Sequence, residues 1–374
     1  METIRRFSSR LLFALLFGGL ACTAMTQEAG ATPRIGHVFV IVLENQSYSL
    51  TFGKHSPAPY LSRTLRKRGA FLSHYYGIGH ASLDNYIAMV SGQPPNEDTQ
   101  RDCPVFDDFQ MRAPGLDPKG RALGRGCVYP ALVKTLPDQL EAAGRSWRAY
   151  MEDMGKDPDR EGAACAHSAV GAKENLLHAT PGDQYAVRHD PFVYFHSIID
   201  DPARCNSHVV PLDALENDLK TPATTADFNF ITPNLCDDGH DAPCIDRRLG
   251  GLVSADAFLR KWVPLIRRSP AFKRDGLLIV TFDEAGAIGR EDSAACCGEE
   301  AMPGASGPPG GNGPGGGRVG AVLLSPSIRP GTVSRHSYNH YSLLRSIEDI
   351  FGIGHLALAG GPRVKSFGAD VFGR

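Results

Sequence analysis

The chain alternates uninterrupted apolar runs with amphipathic stretches of helical period. Residues 37–43, HVFVIVL, are apolar on both faces of an extended chain, the pattern of a strand covered on both sides. The same reasoning predicts strands at 69–75, 146–151, 192–197, 227–232, 276–282 and 318–324. Helical periodicity predicts helices at 83–91, 134–143, 250–267 and 339–351. In the last of these, Leu343, Leu344, Ile347, Ile350 and Phe351 form the apolar stripe. The alternation predicts an α/β domain whose central, mainly parallel sheet is flanked by helices. No internal repeat or linker divides residues 32–374, so one domain is expected. Segment 296–317, rich in Gly and Pro, has no apolar period and predicts a long loop between two strands. Segment 95–130 is also loop-like and carries two cysteines, as a stapled insertion would.

Composition narrows the class. Hydrophobic residues make up 42% of the 374 and charged residues 21%, enough for a sizeable core. The formal charge is 39 − 41 = −2, with no basic excess to favour nucleic acid. At the N-terminus, Arg5 and Arg6 precede the apolar stretch 11–25, the layout of a secretory signal peptide over residues 1–31. Cleavage after Ala31 fits an A-x-A site, and Ala24 is an alternative. The stretch is short for a membrane span, and no later segment is long enough, so no transmembrane span is expected in the mature chain. Export would leave eight cysteines, an even number that suggests disulfides. Cys236 and Cys244 are close enough in sequence to close a short loop.

Candidate chemistry gathers where strands end. The run 37–43 stops at Glu44 and Asn45, and the run 277–282 stops at Asp283 and Glu284. The carboxyl ends of buried strands are where open α/β sheets bind ligands. Three carboxylates and an amide at one edge are costly unless a cation sits among them. The segment GHASLDNYIAMVSG (79–92) places Ser82 at the expected start of a helix, as an N-cap or as a nucleophile where the helix terminus favours a phosphoryl group. Asn85 in the same turn is a candidate donor to phosphate. Asp237, Asp238, His240 and Asp241 crowd the loop after the 227–232 strand. His340 opens the last helix, where a neutral ring is a candidate ligand or base. Arg188 and His189 precede the 192–197 run and are candidate phosphate contacts.

Together these segments resemble the bacterial phosphoesterase family of secreted acid phosphatases and phospholipases C, within the wider alkaline-phosphatase-like superfamily. The matching stretches are VIVLENQSY, GHASLDNYIAMVSG, RHDPFVYF, ITPNLCDDGHD, IVTFDEAG, RVGAVLLSP and NHYSLLRSIEDIFG, in the family's order from 37 to 352. The resemblance implies metal-assisted hydrolysis of phosphate esters. Ser82 would be the nucleophile, with Glu44, Asn45, Asp283 and Glu284 as metal ligands. His80, Asp238, His240 and His340 would be acid–base or phosphate-stabilising groups. The oxygen-rich set suits a divalent cation such as Mg, Ca or Mn, with Zn or Fe also compatible. The substrate would be a small phosphorylated molecule or a phospholipid headgroup. A phosphomonoesterase of acid-phosphatase type is the leading reading. A phospholipase C, a phosphoinositide phosphatase and an inactive phosphate- or lipid-binding protein of the same fold are the alternatives. The chain departs from the family pattern at Asp84, usually Pro, and at Asp237, often Asn.

Overall fold

The structure is a computed structural model that describes residues 1–2, 34–286 and 292–373. The expected signal segment lies outside the described residues. Residues 32–374 cluster as one unit without an internal boundary. Ten strands are present among the described residues. They are β1 (His37–Leu43), β2 (Ala70–Tyr76), β3 (Gln110–Leu116), β4 (Ala122–Arg125), β5 (Trp147–Met151), β6 (Val209–Pro211), β7 (Phe228–Thr232), β8 (Gly276–Phe282), β9 (Ala321–Leu324) and β10 (Thr332–Asn339). Eight of them form one sheet in the order β10-β2-β9-β8-β1-β7-β5-β6. Within it β9 runs antiparallel to both its neighbours, and every other pairing is parallel.

The centre of the sheet is where the sequence is most apolar. All seven residues of β1 and of β8 are buried. They pair in unbroken register from His37 opposite Gly276 to Leu43 opposite Phe282. A strand covered on both faces has no polar alternation to keep, which is why the runs are continuous. Four helices matter for the site or its surroundings: α1 (Ser82–Ser91), α2 (Leu136–Ala142), α3 (Gly251–Arg268) and α4 (His340–Phe351). Every residue of α1 is buried.

Three expectations change. The 192–197 run is a 3₁₀ turn, Pro191–Tyr194, followed by a helical turn from His196 to Ile199. Pro191 at the first position and the Asp190 side chain accepting from Phe192 N–H are a helix-start signal, and it overrides the β propensity of FVYF. Strand β10 occupies residues read as the approach to the last helix. It completes the sheet by pairing with β2, from Thr332 opposite Ala70 to Asn339 opposite Tyr76. The insertion 95–130 contains the β3–β4 hairpin as well as its staple, the Cys103–Cys127 disulfide.

The Gly/Pro-rich loop docks on that insertion. Met302 N–H donates to Pro95 O, Gln100 Nε2 to the carbonyls of Pro308 and Pro309, and Glu300 pairs with Lys119 and Arg121. Cys165–Cys205, Cys236–Cys244 and Cys296–Cys297 complete four disulfides from the eight cysteines expected to remain after export. No helix among the described residues is long and apolar enough to cross a membrane.

Candidate active site

Because β1 and β8 are paired to their last residues, Glu44 and Asp283 emerge side by side. Asp238, from the loop after β7, joins them, its carbonyl accepting from Glu44 N–H at 2.9 Å. All three side chains are fully buried. Asn45 ties the first two together. Its N–H donates to Asp283 Oδ1 at 2.9 Å, and its carboxamide donates to Glu44 Oε2 at 3.1 Å. It turns with φ of 54°, a left-handed conformation that Asn accepts more readily than most residues.

Burial raises all three carboxyls above the ordinary carboxylate range. For Asp238 and Asp283 the neighbouring Glu44 adds to the rise, and Glu284 adds further at Asp283. Glu44 Oε1, Asp238 Oδ2 and Asp283 Oδ2 have no hydrogen-bond partner. Bare buried carboxylate oxygens are expensive and rare. His189 lies among them, with Nε2 3.3 Å from Glu44 Oε2 and Nδ1 3.2 Å from Asp238 Oδ2. The Tyr86 ring stacks on it, centroids 5.4 Å apart. Burial holds the His189 ring well below its usual pKa, with Arg188 and His240 adding to the effect. A neutral imidazole has a single N–H, so it can donate to only one of the two carboxylates it faces. This donor set, mostly hard oxygens with one imidazole, fits a divalent cation. Two groups among the described residues have three donor atoms all within 4.8 Å of one another, Cys236/Cys244/Asp246 and Cys296/Cys297/Glu299. Both contain a disulfide pair, which offers no thiolate.

Ser82 is the first residue of α1 and is 3% exposed. The N-cap is Ala81, one residue earlier than expected, and no side chain of its own caps the helix. The Ser82 hydroxyl instead donates to Glu44 Oε2 at 2.7 Å. The cap comes from a distant segment, as Asp102 Oδ1 accepts from Leu83 N–H at 2.9 Å. A serine whose hydroxyl makes no cap bond is not explained by capping.

The other expected residues divide into two sets. His80 stays at the site, with Nδ1 3.5 Å from Glu284 Oε2 and Nε2 3.1 Å from Ser293 Oγ. Arg188 is buried. Its Nη2 lies 3.2 Å from His240 Nε2, its Nη1 donates to Leu177 O, and its Nε is 3.8 Å from Asp102 Oδ2. His240 is exposed at the mouth, its Nδ1 2.8 Å from Asp241 Oδ1, while its N–H donates to Asp238 Oδ1 at 2.7 Å. Asn85 differs from the expected phosphate donor. Its oxygen accepts from Ile78 N–H and Gly79 N–H, and its NH₂ donates to Gly79 O and Ala81 O. Both donors are thereby engaged in shaping the loop before Ser82. His340 also differs from a ligand or a base. Its Nε2 donates to Asp283 O and its Nδ1 lies 3.1 Å from the Tyr75 hydroxyl, with burial pushing its pKa down to about 4. It is a neutral prop behind Asp283. His189 moves from the expected phosphate contact into the acidic cluster.

Sequence reasoning missed Asp102 and the stacking ring of Tyr86. Asp102 is 20 residues from Ser82 and gave no local signal beyond its place beside Cys103. Asp84, where the family usually has Pro, is buried with both oxygens lacking hydrogen bonds. Burial pushes its carboxyl well above the usual range, and Glu284 and Asp102 add to the rise.

Comparison with known proteins bears on the whole arrangement. The model of the phosphoesterase family matches residues 55–354. A probable acid phosphatase of Kluyveromyces lactis is 25% identical over 324 residues, 85% of this chain and 58% of that protein. The chain thus spans little more than half of that relative's length. A phosphatidylinositol-3-phosphatase of Mycobacterium tuberculosis is 24% identical over 364 residues, covering 94% of this chain and 93% of that one. Among solved structures, one from work on glycosaminoglycan metabolism by Bacteroides thetaiotaomicron superposes with a TM-score of 0.50 at 11% identity, covering 91% of this chain and 82% of the other, a likeness of fold alone. A protein in the alkaline phosphatase superfamily from Vibrio parahaemolyticus has a TM-score of 0.49 at 13% identity, covering 91% and 72%. With four-fifths of its length matched by the family model and the motif segments in order along a mostly parallel sheet, the chain belongs to the phosphoesterase family.

Proposed function

We propose that this protein is an exported, divalent-metal-dependent phosphomonoesterase with Ser82 as its nucleophile. The observation that carries the reading is the 2.7 Å bond from Ser82 Oγ to Glu44 Oε2, which draws a helix-terminal hydroxyl into a buried acidic cluster. Glu44, Asn45, Asp283 and Asp238 would hold the ion, with Glu284 and His189 beside them. When bound, such an ion neutralises phosphate oxygens and lowers the pKa of a nearby hydroxyl. Glu44 orients the Ser82 hydroxyl. Ser82 Oγ passes its proton to Glu44 Oε2 and attacks phosphorus, the bond from phosphorus to the ester oxygen breaks, and a phosphoseryl intermediate remains for water to cleave. Arg188 and the first turn of α1 face the non-bridging oxygens. His240, exposed at the mouth, would protonate the leaving oxygen once its Nε2 exchanges the Arg188 N–H for a proton from solvent, a step worth ~10²–10⁴-fold. His80 stands on the opposite rim, against Glu284.

Four disulfides support an oxidising compartment, in keeping with the N-terminal segment. A phosphoinositide headgroup is the second reading, favoured by the M. tuberculosis relative that matches over nearly its full length. The test is hydrolysis of p-nitrophenyl phosphate, p-nitrophenyl phosphorylcholine and a phosphoinositide by the purified protein, with and without chelator. Acid quench and mass mapping of the peptide bearing residue 82 accompany it. Chelator-sensitive release from the monoester with phosphate trapped on Ser82 is expected. Turnover that survives full chelation, or a diester preference, overturns the leading reading.

A further inference from the structure

The α1 terminus has an occupant of its own. Asp102 reaches it from the stapled insertion, accepting from Leu83 N–H at 2.9 Å and standing 3.8 Å from Arg188 Nε. These are the two kinds of group, a helix-terminal N–H and a buried guanidinium, that a phosphoryl group on Ser82 would use. The side chain is placed deliberately. Asp102 and Cys103 both adopt left-handed backbone, with φ of 54° and 53°, and the Cys103–Cys127 disulfide begins at the very next residue. Two successive non-glycine residues in that region are uncommon and need support from their surroundings.

We infer that Asp102 is a built-in competitor for the substrate's phosphate. It shares the Leu83 N–H and Arg188 with the incoming group and repels its charge, so that it weakens binding of dianionic phosphate more than of monoanionic phosphodiesters. Burial raises the pKa of the Asp102 carboxyl, while Arg188 and the Leu83 N–H favour its charged form, so its role is charge rather than support for Arg188. That side chain is already held by Leu177 O through Nη1 and lies against His240 through Nη2. Loss of the Asp102 charge would leave it in place with more of its field available. Capping does not need the charge either, because a neutral carboxamide or hydroxyl oxygen also accepts from an N–H. The consequence is a site that releases its product phosphate readily and discriminates less strongly between monoesters and diesters than its basic groups alone would.

The inference rests on the proposed phosphatase reading for its consequence, but its binding part is tested separately. Asp102→Asn keeps an acceptor for Leu83 N–H and removes the charge, and Asp102→Ser removes the charge with a shorter side chain. Calorimetric titration of the metal-supplemented protein with inorganic phosphate should show affinity tightened by ~5- to 50-fold in both variants. KM for p-nitrophenyl phosphate should fall in step without a rise in kcat, and KM for bis-p-nitrophenyl phosphate should change by a smaller factor. A purely structural role would lower thermal stability and leave these ratios alone. Phosphate affinity unchanged or weakened in the folded variants overturns the inference. Absence of hydrolysis by the unmodified protein would overturn the phosphatase reading instead, and the calorimetric comparison would still decide the role of Asp102.

Discussion

Strands β1 and β8 carry charged groups at both of their paired ends, and the two ends treat them differently. At the amino end His37 faces Asp275, with Nδ1–Oδ1 at 2.6 Å, and Arg274 Nε lies 3.2 Å from the other oxygen. Asp275 keeps 23% of its side chain in solvent. At the carboxyl end Glu44 and Asp283 are fully buried beside Asp238, and three of their oxygens have no hydrogen-bond partner. One end has a cation, Arg274, and the His37 ring built in beside its acid. The other gathers acids around a neutral imidazole, with Arg188 as the nearby fixed cation. An acid cluster that the chain itself does not neutralise would gain from positive charge supplied from outside, and that contrast separates an acid paired within the chain from the candidate site.

Removing an acid at the carboxyl end should have the largest effect. Asp283→Ala is expected to lose bound metal and to lower kcat/KM by ~10³-fold or more, with circular dichroism unchanged. Metal analysis of the folded variant checks it, and normal metal content would end the contrast between the two ends. Ser82→Ala comes next. The expected loss in kcat is on the order of 10³-fold, while phosphate binding and melting temperature change little, because this hydroxyl caps nothing. A near-normal kcat would return Ser82 to a structural role. At the amino end Asp275→Ala should do the reverse. Buried His37 loses its partner, at a cost of ~1–3 kcal/mol by denaturant titration, while activity per folded molecule and metal content hold.

The smallest effect concerns a buried acid remote from both ends. Glu348 in α4 accepts from Leu356 N–H through Oε1, and its other oxygen has no hydrogen-bond partner. Burial pushes its pKa up to about 8, with Asp349 adding to the rise. Its proton is retained in the folded chain and lost from the unfolded chain between about pH 4.5 and 8, so folding stability falls as pH rises through that window. Glu348→Gln should flatten this slope and stabilise the protein above pH 8, as read from melting temperature against pH. A slope identical to that of the unmodified protein would show that Glu348 is ionised in the fold, and that buried acids here tolerate charge without a cation.

The legible parts of the fold are those where local pattern and tertiary environment agree. β1 and β8 read correctly because full burial leaves each seven-residue strand apolar apart from His37 and Thr281, and only termination by Glu44 and Asp283 was left to explain. Their adjacency follows from parallel pairing at the centre of the sheet. β10 was missed because it lies at the sheet's edge, and its TVSRHSYN pattern is too polar to announce a strand. The 192–197 run failed because Asp190 and Pro191 start a helical turn whatever the β propensity of the residues after them.

By itself the sequence determined the strand ends that bear acids, the helix that begins at Ser82 and the family to which both belong. These are local properties, set by burial and by the order of residues along one segment. Only the tertiary structure decided what each side chain faces. It turned Asn85 inward to hold a loop and set His340 behind Asp283. It pressed His189 between two carboxylates. It also brought Asp102 to the start of α1, a contact that depends on the stapled insertion folding back against that helix. Hydrogen bonds between residues so far apart are fixed by packing and loop closure, and no periodicity along the chain encodes them.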